Sequence, residues 1–353
     1  MKTLSFQNGT FFDTKSSHEI SIYETDNGIA LHTNHSRSKR FLSGIIQAIL
    51  NFFSIGQEEC PELLDWPKFQ PFTYNKLDVG CWDDVQPTFK LFPESTIPII
   101  IADQKDHLKQ LKNLDIVTNM GITKIVIIVH GFTETASSWA DPMARWIMAK
   151  DKTPNLAVIT IDWKKEAEIF RGLSDFSLRP YRPAHANSRY VGVAAERVIK
   201  QFPSLKETHC IGQSLGAHVC AFLSNAMMQD MGVKLNRISA MDPAGPLFYT
   251  TVLFNKPIYA KLDEKLDKSD ADLVDVIHSD SDMWGFYQSA GHADFYIGKN
   301  LEQLGKDQAE CSGLSYSSLF CDHFRAMNLY YNSIRNKDRC WVHFRCDGED
   351  GRI

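Results

Sequence analysis

Much of what would point to other functions is missing from this chain. No run of eighteen apolar residues occurs in its 353 residues, so no segment meets the usual requirement for a bilayer-spanning helix. There is no dense Lys/Arg face and no Arg-Gly tract. Lys plus Arg number 38 against 43 Asp plus Glu, a formal net charge of −5, and nothing invites a nucleic-acid partner. No C-x-x-C spacing exists, and the late cysteines lack histidines at zinc-finger spacing, which argues against a structural metal. Internal repeats and low-complexity segments are absent. The amino terminus, MKTLSFQNGTFFDTKSSHE, lacks the continuous apolar core of a signal peptide.

What is present describes a globular protein, with 43% hydrophobic and 23% charged residues and enough length to bury a large core. Eight cysteines (Cys60, Cys81, Cys210, Cys220, Cys311, Cys321, Cys340 and Cys346) give an even count crowded toward the C-terminal third. That pattern suggests disulfides and a secretory route. A signal-like segment lies inside the chain at 36–56, where SRSKR precedes the mostly apolar FLSGIIQAILNFFSIG. It reads as a displaced or internal signal, as an amphipathic helix, or, through Arg37–Arg40, as a multibasic cleavage site releasing a propeptide. Asn8 and Asn34 are glycosylation acceptors only if those segments enter the secretory pathway. The expected organisation is a polar N-terminal extension, 1–59, and a single domain, 60–353, secreted to the cell exterior.

Within that domain, strands are expected at Thr88–Phe92 and Ile97–Ala102, and a helix at Asp106–Met120. The β-branched run Ile122–Val129 reads as an interior parallel strand. A helix at Ser138–Lys150, a strand at Leu156–Trp163 and a helix at Asn187–Phe202 follow. Further strands are expected at Thr208–Ile211, Arg237–Met241 and Leu273–His278. Alternation of buried strands with helices implies a mainly parallel sheet covered on both faces.

The chain is organised around HCIGQSLGAHVCAFL, residues 209–223, in which Gly212-Gln213-Ser214-Leu215-Gly216 matches G-x-S-x-G. The pattern places Ser214 at the tip of a strained strand-to-helix turn, with small residues two places either side because a Cβ there would collide. A Gly-rich turn with an idle serine is the plainer alternative. Nucleophilic acyl transfer also needs a base and a carboxylate, which in this topology follow the serine. Asp242 ends the apolar strand RISAM and is stopped by Pro243, at the strand end where parallel sheets place functional groups. It could equally be a turn-capping aspartate. Three later histidines compete for the base: His278 ending a strand, His292 in GHADF, and His323 opening the helix DHFRAMNLYYNSI. Order alone does not choose among them; the loop-to-helix junction beside Cys321 favours His323. An oxyanion hole would take the N–H of Leu215 and that of Phe132, after Val129-His130-Gly131.

These stretches together resemble the animal lipase family typified by pancreatic lipase, which includes secreted phospholipases of the A1 type. VGCWDD (79–84), VHGF (129–132), VITIDW (158–163), IGQSLGAH (211–218), MDPAGP (241–246), LVDVIHSD (273–280), GHADFY (291–296) and CDHFRAMNLYY (321–331) occur in the family's order. The resemblance implies an α/β-hydrolase fold, with Ser214 as nucleophile, Asp242 as acid, His323 as base, and Phe132 and Leu215 as oxyanion donors. His278 and His292 are then structural.

The resemblance also implies a lid bounded by Cys311 and Cys321. It encloses only nine residues, SGLSYSSLF, from which Leu314, Tyr316, Leu319 and Phe320 could touch lipid. That lid and the short loop 279–290 resemble the phospholipase branch, whose open site admits a bulky polar head group. The chain ends about thirty residues after His323, which leaves no room for a β-sandwich lipid and colipase domain, so no colipase partner is expected. The family's calcium loop is echoed by Asp267 and Asp270, but Leu262 stands where a glutamate is expected, so no cofactor is assigned. Cys210 and Cys220 fall outside the family's disulfide framework and are expected as free buried thiols, with a local bridge as the alternative.

The implied function is a secreted serine esterase that hydrolyses the sn-1 ester of phospholipid at an aggregate interface, touching membranes peripherally. The alternatives are a triacylglycerol or galactolipid lipase and, in another class, a non-catalytic lipid-binding relative.

Overall fold

The structure, a computed structural model, describes the backbone of 4–7, 10–13, 18–25 and 28–33. It also describes 85–102, 119–167, 181–248, 264–298, 304–305, 308, 311 and 320–335, apart from 86, 94–96 and 247. The signal-like segment 36–56, residues 106–118 of the expected 106–120 helix, and Cys60, Cys81, Cys340 and Cys346 lie outside the described residues.

Leu4–Gln7 (β1), Thr10–Asp13 (β2), His18–Thr25 (β3) and Gly28–Thr33 (β4) pair antiparallel in sequence order. No strand was expected in this extension, because short alternating segments such as HEISIYET carry little hydrophobic signal among polar neighbours.

The second sheet has eight strands: Thr88–Phe92 (β5), Ile99–Ala102 (β6), Lys124–Val129 (β7), Leu156–Asp162 (β8), Glu207–Gln213 (β9), Leu235–Met241 (β10), Ala271–His278 (β11) and Ala293–Tyr296 (β12). Their spatial order is β12-β11-β10-β9-β7-β8-β5-β6. Every neighbouring pair from β8 to β12 is parallel, while β5 runs antiparallel to both β8 and β6. The helices are Ala140–Lys150 (α1), Lys164–Ala167 (α2), Tyr181–Ile199 (α3), Leu215–Met231 (α4) and Cys321–Arg335 (α5). This is the mixed, mostly parallel sheet flanked by helices that defines the expected α/β-hydrolase fold.

The period-two geometry of β7 explains its apolar run, since both faces are covered. Ile125, Ile127 and Val129 pack with Val191 of α3 and Phe222 of α4; Val126 and Ile128 pack on the opposite side with Met143 of α1 and Tyr330 of α5. Full burial of a residue such as Ile127 contributes roughly 1.5–3 kcal/mol. Helix α4 is buried nearly all round, from Leu215 to Met227, as the central helix of the covered face. Helix α3 begins at Tyr181, six residues before the expected Asn187. Pro183 sits in its first turn, where a missing N–H costs nothing, so proline opens this helix rather than delaying it.

Candidate active site

β9 ends at Gln213 and α4 starts at Leu215, which leaves Ser214 as a one-residue corner with φ 55° and ψ −121°. Such a conformation in a non-glycine residue costs of order 1–3 kcal/mol and persists only under outside constraint. Part of that constraint is the Ser214 N–H, which donates to the Met241 carbonyl of β10 at 3.0 Å. Room for the corner comes from its glycines. A Cβ on Gly216 would run into the Val129 carbonyl of β7, and one on Gly212 into the Gly216 carbonyl.

Cys210 on β9 and Cys220 on α4 are joined by a disulfide, with Cα atoms 5.8 Å apart. The expectation of free thiols is therefore corrected. Strand and helix fold back on each other across so tight a corner that residues ten apart come within bridging range.

Asp242 follows β10 at φ 42° and is completely buried. Its Oδ1 accepts the N–H groups of Ser279 at 2.7 Å and Asp280 at 3.1 Å, both just beyond β11. Its Oδ2 accepts from His323 Nδ1 at 2.6 Å. Gly285 makes space for this carboxylate, since a Cβ there would lie 2.7 Å from Oδ1. With Nδ1 donating to a carboxylate, a neutral His323 carries its lone pair on Nε2. His323 and Ser214 line the same pocket, walled by Phe132, Tyr181, Trp284 and Phe320. Leu215, the first residue of α4, is fully buried beside the serine.

The other two histidines are tied elsewhere. His278 donates from Nδ1 to the Phe286 carbonyl at 2.9 Å, and its Nε2 lies 2.8 Å from Asp294 Oδ1. These two contacts pin the loop after β11 and leave the ring no reach toward Ser214. His292 Nδ1 accepts the Val274 N–H at 3.0 Å.

Cys311 and Cys321 are bridged, as the resemblance implied. Phe320, at the end of that closed loop, stacks on Trp284 with ring centroids 4.8 Å apart. Leu314, Tyr316 and Leu319 lie outside the described residues.

Among the described residues, two places could be considered for a cation. Asp242, Asp280 and His323 each bring one ligand atom within 4.8 Å of the others. The Asp242 oxygens and His323 Nδ1 are already engaged with hydrogen-bond partners, so the group is a proton-bearing network rather than a cage. Asp267 and Asp270 cap the 3-10 turn Lys268–Asp270. Asp267 Oδ1 accepts the Ser269 N–H at 2.6 Å and Asp270 Oδ2 accepts the Asp267 N–H at 2.8 Å. Burial pushes the Asp270 carboxyl up to about 7. Both carboxylates are engaged in capping the turn, and no step is routed through a cation.

Comparison with known proteins decides the family. A family model described as Lipase matches residues 92–350, well over half of the chain. The chain belongs to the lipase family. Among similar proteins, Lipase member H of Rattus norvegicus is 30% identical over 249 residues, covering 68% of this chain and 49% of the relative. Lipase member H-A of Xenopus laevis is 33% identical over 229 residues, 63% of this chain and 44% of the relative. Phospholipase A1 member A of Homo sapiens is 31% identical over 212 residues, 60% of this chain and 41% of the relative. The chain therefore spans about half or less of the length of the curated relatives it matches.

Two acidic residues of the candidate site were not singled out in the sequence. Asp280 is buried beside Asp242, and burial first, then the Asp242 charge, hold its carboxyl well above the usual range. Its signal was its place directly after β11, at the same sheet edge as Asp242. Glu134 reaches back to the His130–Phe132 turn, and no sequence pattern marks it.

Proposed function

We propose that this chain hydrolyses carboxylic esters of lipids through an acyl-enzyme on Ser214, with the sn-1 ester of phospholipid as its preferred substrate. The observation that carries the reading is the 2.6 Å bond between His323 and the buried Asp242, at a pocket that Ser214 also lines. Asp242 holds the imidazole in the tautomer whose Nε2 takes the Ser214 proton during attack on the acyl carbonyl. The oxyanion that forms is held by the N–H groups of Phe132 and Leu215. His323 then protonates the leaving alkoxide and activates the water that frees the fatty acid.

The preference for phospholipid rests on the nine-residue loop between Cys311 and Cys321 and on the likeness to a relative named phospholipase A1. Met283 and Tyr287, neighbours of Trp284 in the loop after β11, are 47% and 54% exposed and supply an apolar rim for contact with a lipid aggregate. A secreted enzyme working on aggregates outside the cell fits these features.

The purified protein should take up a fluorophosphonate, and Ser214→Ala should not. Given phosphatidylcholine, phosphatidylserine and triacylglycerol, it should release sn-1 fatty acid from the phospholipids. Release from triacylglycerol alone would sink the substrate assignment. Folded wild-type protein that takes up no label would leave a lipid-binding relative as the reading.

A further inference from the structure

The turn that would offer the first oxyanion donor is pinned group by group. Trp163 Nε1–H donates to the His130 carbonyl at 2.8 Å, and the Trp163 backbone N–H donates to His130 Nε2 at 3.1 Å. That leaves the proton on Nδ1, which donates to the Gly131 carbonyl at 2.9 Å. The described peptide bonds are trans, so the Phe132 N–H points the opposite way from that carbonyl.

The other side of the turn depends on one side chain. Glu134 Oε2 accepts the Gly131 N–H at 3.1 Å and Trp139 Nε1–H at 3.0 Å. Between the two anchors lies Thr133 at φ 65°. For a β-branched residue this left-handed conformation costs about 1–2 kcal/mol and needs outside restraint. Thr133 N–H donates to the Ala167 carbonyl at 2.7 Å, which leaves the Gly131 end to Glu134.

We propose that Glu134 is the positioning residue of the oxyanion site: by bridging the Gly131 N–H and the Trp139 indole it sets the tilt of the turn and so aims the Phe132 N–H at the acyl oxygen. The inference rests on Ser214 acting as the nucleophile. Glu134 works through hydrogen-bond acceptance at one oxygen, a role that an uncharged carbonyl fills equally well. Burial pushes its carboxyl above the ordinary range, which agrees with a role that does not need the charge.

Three variants separate this role from a structural one, read on a water-soluble p-nitrophenyl ester and on the rate of fluorophosphonate uptake. Glu134→Asp keeps the charge but draws the oxygen back by about 1.5 Å, the length of one carbon–carbon bond. It should lower kcat roughly 10- to 100-fold with KM within about threefold, the cost of a misaimed donor. Glu134→Gln keeps an acceptor oxygen in place and should hold kcat within about threefold of wild type. Trp139→Phe removes the second donor alone and should lower kcat roughly three- to tenfold. An Asp variant as fast as wild type, or a Gln variant as slow as the Asp variant, overturns the proposal. If the Asp variant does not fold, Trp139→Phe decides, and an unchanged kcat there overturns it. Wild-type protein that takes up no fluorophosphonate sinks the esterase reading. Wild-type protein that labels no faster than the Asp variant sinks only the role of Glu134.

Discussion

The serine corner and the histidine–aspartate pair are held in place by different means. Ser214 is fixed by backbone: its own N–H on Met241, two glycines that let strand and helix close, and the Cys210–Cys220 bridge behind it. The pair is fixed by groups converging from separate segments: the end of β10, the turn after β11, the loop carrying Gly285, and the start of α5. A corner built from the backbone fails when something is added to it. A pair assembled from distant loops fails when any one contributor is taken away.

The largest expected effect lies on the pair. Asp242→Asn should leave KM little changed and lower kcat about 10⁴-fold, because the ring then favours the wrong tautomer. Steady-state kinetics on a soluble ester checks this, and a loss under tenfold would mean the carboxylate does not set the base. Next comes the corner. Gly216→Ala would press a methyl group onto the Val129 carbonyl and should cost roughly 1–3 kcal/mol in urea unfolding, with activity falling alongside. Removing the Cys210–Cys220 bridge with paired alanines should cost about 2–3 kcal/mol of stability. The remaining folded protein should keep near-normal kcat on a soluble ester, since the corner's geometry rests on the backbone. A kcat that collapses while stability holds would erase the contrast between the two regions.

The smallest effect near neutral pH is on acid stability, and it tests the buried frame that both regions share. His218, which links α4 to the Ala244 carbonyl and the Leu266 N–H, is held down to about 3 mainly by burial, and His209 likewise. The unfolded chain takes up these protons below about 6.5 while the folded chain refuses them until about 3. Their stabilising contribution is thus complete above 6.5 and is lost as pH falls toward 3. Thermal midpoints should decline steadily over that window, and His218→Gln should flatten the slope. A level profile from pH 6.5 to 4 would contradict it.

The parts of the fold that rest on local pattern were readable in the residues. The run at Lys124–Val129, the stop at Asp242-Pro243 and the glycines around Ser214 each carry their geometry in a few neighbouring side chains. The unread parts depend on distance in space. Glu134 is recognisable only once Trp139 and Gly131 face it, and Asp280 only once β11 lies beside β10. The Cys210–Cys220 bridge needed the true depth of the corner, which spacing does not encode. The early start of α3 was hidden because the apolar spacing that marked the helix began only at Val191. The four strands before residue 34 were hidden by their polar neighbours.

The stack of Trp284 on Phe320 joins two loops that are separate in the chain and meet at the mouth of the pocket. An indole in that position is a built-in optical probe. Anything that parts the two rings, whether an acyl chain sliding between them or a detergent micelle pressing on the rim, changes the surroundings of that indole and with them its emission. The seven tryptophans of the chain make a Trp284→Phe subtraction necessary. With it, entry into the pocket becomes visible in real time without any reporter on the lipid.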